Sequence, residues 1–443
     1  MNIQLSEHFS YSKLLRFVFP SIVMMVFTSI YGVIDGLFVS NYVGKVPFAA
    51  VNLIMPFLMI LGSLGFMIGT GGSAFVAKTL GEGKKEEAKR HFSMLVYVSI
   101  AGGIILSIVG MIVIRPLTIA MGAEGEMIED CVIYGRILLI TLTPFILQNV
   151  FQSFFVTAEK PQLGLAVTVA AGLGNIFLDF LFVGVLKWGL EGAAWATSIS
   201  QLIGGIFPFI YFMRKNETPL QLVKAKFDGN VFLKTCTNGS SELASNISMS
   251  LVNMLYNIQL MKFAGEDGVA AYGVIMYVNF IFVAIFLGYS IGSAPIISYH
   301  YGAGNHEELK NLFKKSLFLI GGFSIALTLA AEGLSGLLSR IFVGYDKDLY
   351  EMTCLGFRLF SLSFLFNGLN IFGSAFFTAL NNGVVSALIS FLRAFVLQII
   401  MVLLLPVLWG INGIWFSALG AELLALFITI YFFVIKKKVY HYA

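Results

Sequence analysis

The sequence predicts an all-α membrane protein: twelve transmembrane helices in two parallel, pseudo-symmetric six-helix bundles around a central cavity. Three observations predict it. Apolar runs of about 20 residues recur along the whole 443-residue chain, each long enough to cross a hydrocarbon core of ~30 Å. The polar breaks between the runs alternate between rich and poor in Lys and Arg. The second half of the chain repeats the first.

The composition is that of a lipid-embedded protein. Hydrophobic residues make up 58% of the chain and charged residues only 12%, against roughly a quarter charged in soluble domains. Mean hydropathy is +0.87. A transmembrane barrel would show short alternating segments instead. The first apolar run is too long for a cleavable leader and follows a polar start, so it is expected to remain as the first helix. Cys131, Cys236 and Cys354 give neither a disulfide framework nor a metal spacing, and read as small buried hydrophobes.

The breaks place twelve spans near residues 14–39, 47–75, 92–114, 131–157, 163–186, 191–213, 233–262, 268–298, 312–335, 352–378, 384–408 and 412–435. Most of the 28 Lys and Arg fall in alternate loops, such as Lys84, Lys85, Lys89 and Arg90, then Lys310, Lys314 and Lys315, then Lys436, Lys437 and Lys438. Such loops mark the cytoplasmic side. The opposite loops are poor in basic residues, and two are acidic, with Glu124, Glu126, Glu129 and Asp130 in one and Asp346, Asp348 and Glu351 in the other. Both termini are therefore expected in the cytoplasm, in a multi-pass protein of a bacterial inner membrane.

The repeat has an offset of about 221 residues. Gly81-Glu82-Gly83 with Glu86, Glu87 and Lys89 aligns with Gly302-Ala303-Gly304 with Glu307, Glu308 and Lys310. Trp188-Gly189 with Gly192 aligns with Trp409-Gly410 with Gly413, and Ser153 with Ser374 in the same frame. Six spans is an even number, so the halves share one orientation. The division is residues 1–213 for an N-lobe, 214–232 for a polar cytoplasmic linker, and 233–443 for a C-lobe. Transporters use such halves to build a midplane cavity that opens to each side in turn.

Acids inside spans are costly, at roughly 2.5–3.5 kcal/mol each on insertion scales, and mark ion or proton paths. Asp179 lies in the outer half of the fifth span with Asn175 one turn before it, on the same face. Asp35 lies near the outer end of the first span and Thr197 about two turns into the sixth. These four oxygen-bearing side chains reach a similar depth on three helices. Two acids close together would share a proton or hold a cation between them, and carboxylate, amide and hydroxyl oxygens suit a hard cation. Spacing does not choose between H⁺ and Na⁺. The repeat places Asn257, Val396, Ile400 and Ala418 at the corresponding positions of the second half. The acids are thus confined to one half, as expected for function and not for scaffold.

These features resemble the multidrug and toxic compound extrusion (MATE) family, in its smaller prokaryotic form, over essentially the whole chain. The resemblance rests on the two parallel halves, Pro20 followed by Asp35, the Gly81/Gly83 and Gly302/Gly304 loops, and the Asn175-x-x-x-Asp179 pair with Thr197 downstream. It implies a cation site for Na⁺ or H⁺ at Asp35, Asn175, Asp179 and Thr197, a bend in the first helix at Pro20, and export of organic, often cationic compounds by antiport. Where many members carry a proline early in the seventh span, this chain reads Gly239-Ser240-Ser241-Glu242.

Other polar residues are candidates for a cavity wall: Gln148 and Gln152 in the fourth span, Glu242 and Asn257 in the seventh, and Arg393 in the eleventh. Arg393 needs a partner or the interior, and Glu242, at a similar depth, is the candidate partner. No GxxxxGK[ST], HExxH or GxSxG motif occurs, so an enzyme or ATP-driven pump is not expected. The expectation is a monomeric, cation-coupled multidrug antiporter with no cofactor beyond its coupling ion. Its partners would be small cationic or amphiphilic drugs and membrane lipid, with no nucleic acid. The alternative is a flippase for a lipid-linked sugar on the same architecture.

Overall fold

The structure is a computed structural model and describes residues 3–443. Among these residues every regular element is helical. Nine helices are long and apolar enough to cross a membrane, and two bent pairs add two more. One of the nine, Gly229–Gly302, has a single non-helical residue, Gly265, at φ 64° and ψ −149°. Tyr256 and Tyr272 on either side of it stack with ring centroids 4.9 Å apart. In a straight helix they would lie about 24 Å apart. The chain therefore reverses at Gly265, in a backbone conformation that a Cβ would strain, and Gly229–Gly302 is two spans.

Twelve spans result, in the order anticipated from hydropathy. Span 1 is Tyr11–Phe38, span 2 Lys45–Gly81, span 3 Lys85–Ala120 and span 6 Gly189–Met213. Span 4 joins Glu126–Ile140 to Leu142–Thr157 across a 55° bend, and span 10 joins Lys347–Ser361 to Phe364–Ala379 across a 46° bend. Spans 4 and 10 are repeat equivalents, so the pseudo-symmetry extends to the helix irregularities. Span 5 is Pro161–Asp179, span 9 His306–Val343 and span 12 Ile411–Tyr440; span 11 begins at Gly383 and ends at Trp409. Residues 214–228 join the halves without helix.

Three spans leave α geometry for a π turn: span 1 at Val39–Val43, span 5 at Phe180–Val185 and span 11 at Leu392–Val396. Pro20 does not break span 1. It is buried in an unbroken helix, and the departure falls at the other end, beyond Asp35.

Glycines seal the halves together toward the face that carries both termini. A Cβ on Gly239 of span 7 would overlap the Met67 carbonyl of span 2, and one on Gly71 would overlap the Thr235 carbonyl. Gly81 and Gly302 meet Tyr299 and Lys78 in the same way. Asn238 donates to the Gly71 carbonyl at 3.3 Å and to the Thr378 carbonyl at 2.9 Å, tying spans 2, 7 and 10. Here backbone packs on backbone, the arrangement that small residues allow between membrane helices.

The chain ends reinforce that face. Leu5 and Phe9 are fully buried. The Leu5 N–H donates to Glu159, between spans 4 and 5, at 2.8 Å, and the Phe9 N–H to Glu308 of span 9 at 2.9 Å. Asn311 and Lys315 donate to the Phe9 carbonyl at 3.0 and 2.6 Å. Burial holds the Glu159 carboxyl above its usual range, with the Leu5 N–H pulling the other way. Tyr442 packs on Phe313 and Phe376.

Gly239→Ala is expected to cost about 1–3 kcal/mol through overpacking, read as a lower thermal unfolding midpoint in detergent. Gly321→Ala, at a position with open space around it, should leave the midpoint unchanged.

Candidate functional site

Asp35 lies in the last turn of span 1 before its π turn, and Asp179 is the last α residue of span 5 before the next. Both acids therefore sit where the helix changes pitch. Thr197 of span 6 bridges Asp35 to the amide: its hydroxyl donates to Asp35 Oδ1 at 3.5 Å and accepts from Asn175 Nδ2 at 3.5 Å. Asn175 is 1% exposed and Asp179 0%. Asp35 is the charged neighbour of Asp179. The two carboxyls face each other, so a hydrogen bond between them needs a shared proton, and neither Asp179 oxygen has another donor among the described residues. The structure thus brings all four sequence-derived residues together.

It adds a fifth. Tyr134 of span 4 is fully buried, with Thr197 beside its hydroxyl and Asp35 and Asp179 as its charged neighbours. Nothing in the sequence separates it from the other tyrosines, which at a span end read as interface anchors. Two acids, an amide, two hydroxyls and no Lys or Arg make a set that lacks positive charge, by two units with both acids ionised. Protonation or a bound hard cation supplies it.

The C-terminal half is polar in another way. A cavity of about 230 Å³ opens between spans 7, 8, 10, 11 and 12, with Glu242, Asn253, Arg393 and Glu422 in its wall. Arg393 lies in the π turn of span 11. Its partner is Glu422 of span 12, Nη1 to Oε1 at 3.3 Å, and not Glu242, which corrects the sequence-based pairing. Consecutive spans pack side by side, so depth alone could not choose between the two acids. Asn370 donates to the other Glu422 oxygen at 2.7 Å, and Asn367 to Oε1 at 3.4 Å. Glu242 still feels the Arg393 charge across the cavity.

The remaining candidates fall elsewhere. Asn257 is exposed and outside this wall, and Asn253, one turn earlier, takes that place. Gln148 and Gln152 are buried among spans 4, 5 and 6 with no room for a water beside them. Gln152 donates to Thr168 at 3.5 Å, so these amides join helices.

Twelve crossings in two like halves, with charged groups held inside each half, define a polytopic membrane transporter of the two-bundle type. The MatE family profile matches residues 20–181 and 243–404, once in each half, and the chain belongs to that family. It is similar to the multidrug export protein MepA of Staphylococcus aureus strain MSSA476, 23% identical over 413 residues, which cover 93% of this chain and 91% of the relative. The MepA protein of Staphylococcus haemolyticus strain JCSC1435 is 25% identical over 429 residues, covering 95% and 92%. Among solved structures, the outward-facing conformation of a multidrug resistance MATE family transporter of the MOP superfamily superposes with a TM-score of 0.93. That alignment covers 99% of this chain and 98% of the other at 21% identity.

Glu422→Gln strands the Arg393 guanidinium inside the membrane and is expected to cost about 3–5 kcal/mol, whereas replacing Arg393 and Glu422 together by Met costs less. Thermal unfolding of the purified variants checks the order.

Proposed function

We propose that this protein is a cation-coupled antiporter that exports small cationic or amphiphilic drugs by alternating access, as a monomer in a bacterial inner membrane with both termini in the cytoplasm. One observation carries the reading: Asp179, fully buried against Asp35, has no donor for either oxygen unless the two acids share a proton. A carboxylate left so in the membrane needs a mobile partner, and H⁺ or Na⁺ fits the oxygens present.

The cycle follows from differential affinity. Open to the outside, the Asp35–Asp179 set takes up the cation, and the gain favours release of the drug. Reorientation then delivers the cation inside and presents the cavity to a new drug. Fluxes couple because each ligand favours a different state. One charge crossing 100 mV contributes about 2.3 kcal/mol, and the concentration gradient adds to it. The glycine seam and the N-terminal ties support a state closed at the terminus-bearing face. Pairing of Arg393 with Glu422 speaks against the strongly basic cavity of a flippase.

Dye efflux from proteoliposomes under separate Na⁺ and pH gradients tests this. Wild type is expected to respond to one gradient, which identifies the ion. Asp179→Asn should lose gradient-driven efflux, by at least about tenfold, while retaining its fold by thermal unfolding. Full gradient-driven efflux by Asp179→Asn would overturn the reading.

A further inference from the structure

The C-lobe cavity contains charges that the ion site does not use. Span 11 starts at Gly383, so Arg393 is about 15 Å along it, near the middle of a ~30 Å core. It is held in a π turn, a feature that often marks functional positions. A guanidinium has five N–H donors, and the structure gives Arg393 one side-chain hydrogen bond, to Glu422; its Nε has no partner. Glu422 is satisfied within the protein by Arg393, Asn367 and Asn370. Glu242 differs: among the described residues its carboxylate has no ion pair and no hydrogen bond, yet it lines the same space. The cavity thus presents an under-used cation on one side and an unpaired acid on another.

The rest of the wall limits what can fill it. Tyr256 and Tyr272 stack face to face, and their hydroxyls are taken by Gln398 at 3.0 Å and Asn253 at 2.9 Å. The pair contributes an aromatic wall, flanked by the pliable thioethers of Met249 and Met276. At about 230 Å³ the space falls below the roughly 300–1,000 Å³ of drug-sized pockets. A plain cation would meet Glu242 but leave the spare Arg393 donors unmet. A plain anion would meet Arg393 but face the uncompensated charge of Glu242. A molecule with both charges meets both groups while Glu422 stays paired to Arg393.

We propose that this cavity is a guest site for a small aromatic zwitterion, its ammonium on Glu242 and its carboxylate on the free N–H edge of Arg393, against the Tyr256–Tyr272 wall. The assignment deepens the export reading, on which it rests for the fate of the guest, and places guest and coupling ion in opposite halves.

The test is equilibrium binding to the purified full-length protein in nanodiscs, without any gradient, by calorimetry. The probes are L-tryptophan, its methyl ester (a cation) and N-acetyl-tryptophan (an anion). L-Tryptophan is expected to bind about tenfold tighter than either. Glu242→Gln should weaken it about tenfold and erase its advantage over the N-acetyl compound. Arg393→Lys, which keeps the charge opposite Glu422, should erase its advantage over the ester. Unchanged unfolding midpoints establish that both variants fold. Equal binding of the three probes, no binding, or unchanged binding by Glu242→Gln overturns the site. If binding fails while gradient-driven dye efflux persists, only the guest site falls. If binding holds but no gradient drives efflux, the site stands and the antiport reading falls.

Discussion

Hydrocarbon offers a charge neither water nor a mobile counter-ion, and this constraint shapes both halves of the molecule. The C-lobe meets it internally: Arg393, Glu422, Asn367 and Asn370 form one connected set, so most of the buried charge is cancelled by neighbours on adjacent helices. The N-lobe does not. Asp35 and Asp179 lie together with an amide and two hydroxyls and no base. In the proposed cycle a cation from solution would complete its balance. Two halves with one repeated plan thus differ in their electrostatics: one pairs an acid with a base inside the fold, and the other holds acids alone.

The helix irregularities follow the same division. Asp35 and Asp179 of the N-lobe each precede a π turn, and Arg393 of the C-lobe lies inside one. A π turn loosens the regular ladder and re-aims the side chains next to it. The bends in spans 4 and 10 fall at equivalent positions, but the π turns of spans 5 and 11 do not: one follows Asp179 and the other contains Arg393, about nine residues earlier in the repeat frame. The shared bends belong to the common scaffold, and the unshared π turns accompany the residues that differ.

Hydropathy made the spans legible, because crossing a bilayer is a local demand on 20 consecutive residues. The repeat made the two-bundle plan legible, and the rarity of acids in apolar runs exposed Asp35 and Asp179. What stayed hidden depends on rotation about helix axes. Tyr134 looks like any tyrosine until span 4 is turned toward the acids. Gln148 and Gln152 look like cavity amides until spans 5 and 6 close over them. Glu242 and Glu422 stand at comparable depths beside Arg393, and only the packing of span 11 against span 12 separates partner from neighbour. Pro20 lies within continuous helix, and span 1 leaves α geometry at Val39, where no proline marks the change.

The short N-terminal segment has a wider consequence. Leu5 bonds to the loop after span 4 and Phe9 to span 9, so the two halves are fastened by the start of the chain as well as by the stretch after span 6. Hydrogen bonds to charged groups contribute about 1.5–3 kcal/mol each, enough to bias a domain rearrangement and weak enough to be undone by it. Residues Leu5 to Phe9 therefore form a clasp across the halves, and in the proposed cycle its strength would set how readily that face unlocks. In that cycle, trimming this end would retune the tempo of the machine while leaving the Asp35–Asp179 and Arg393–Glu422 groups where they are.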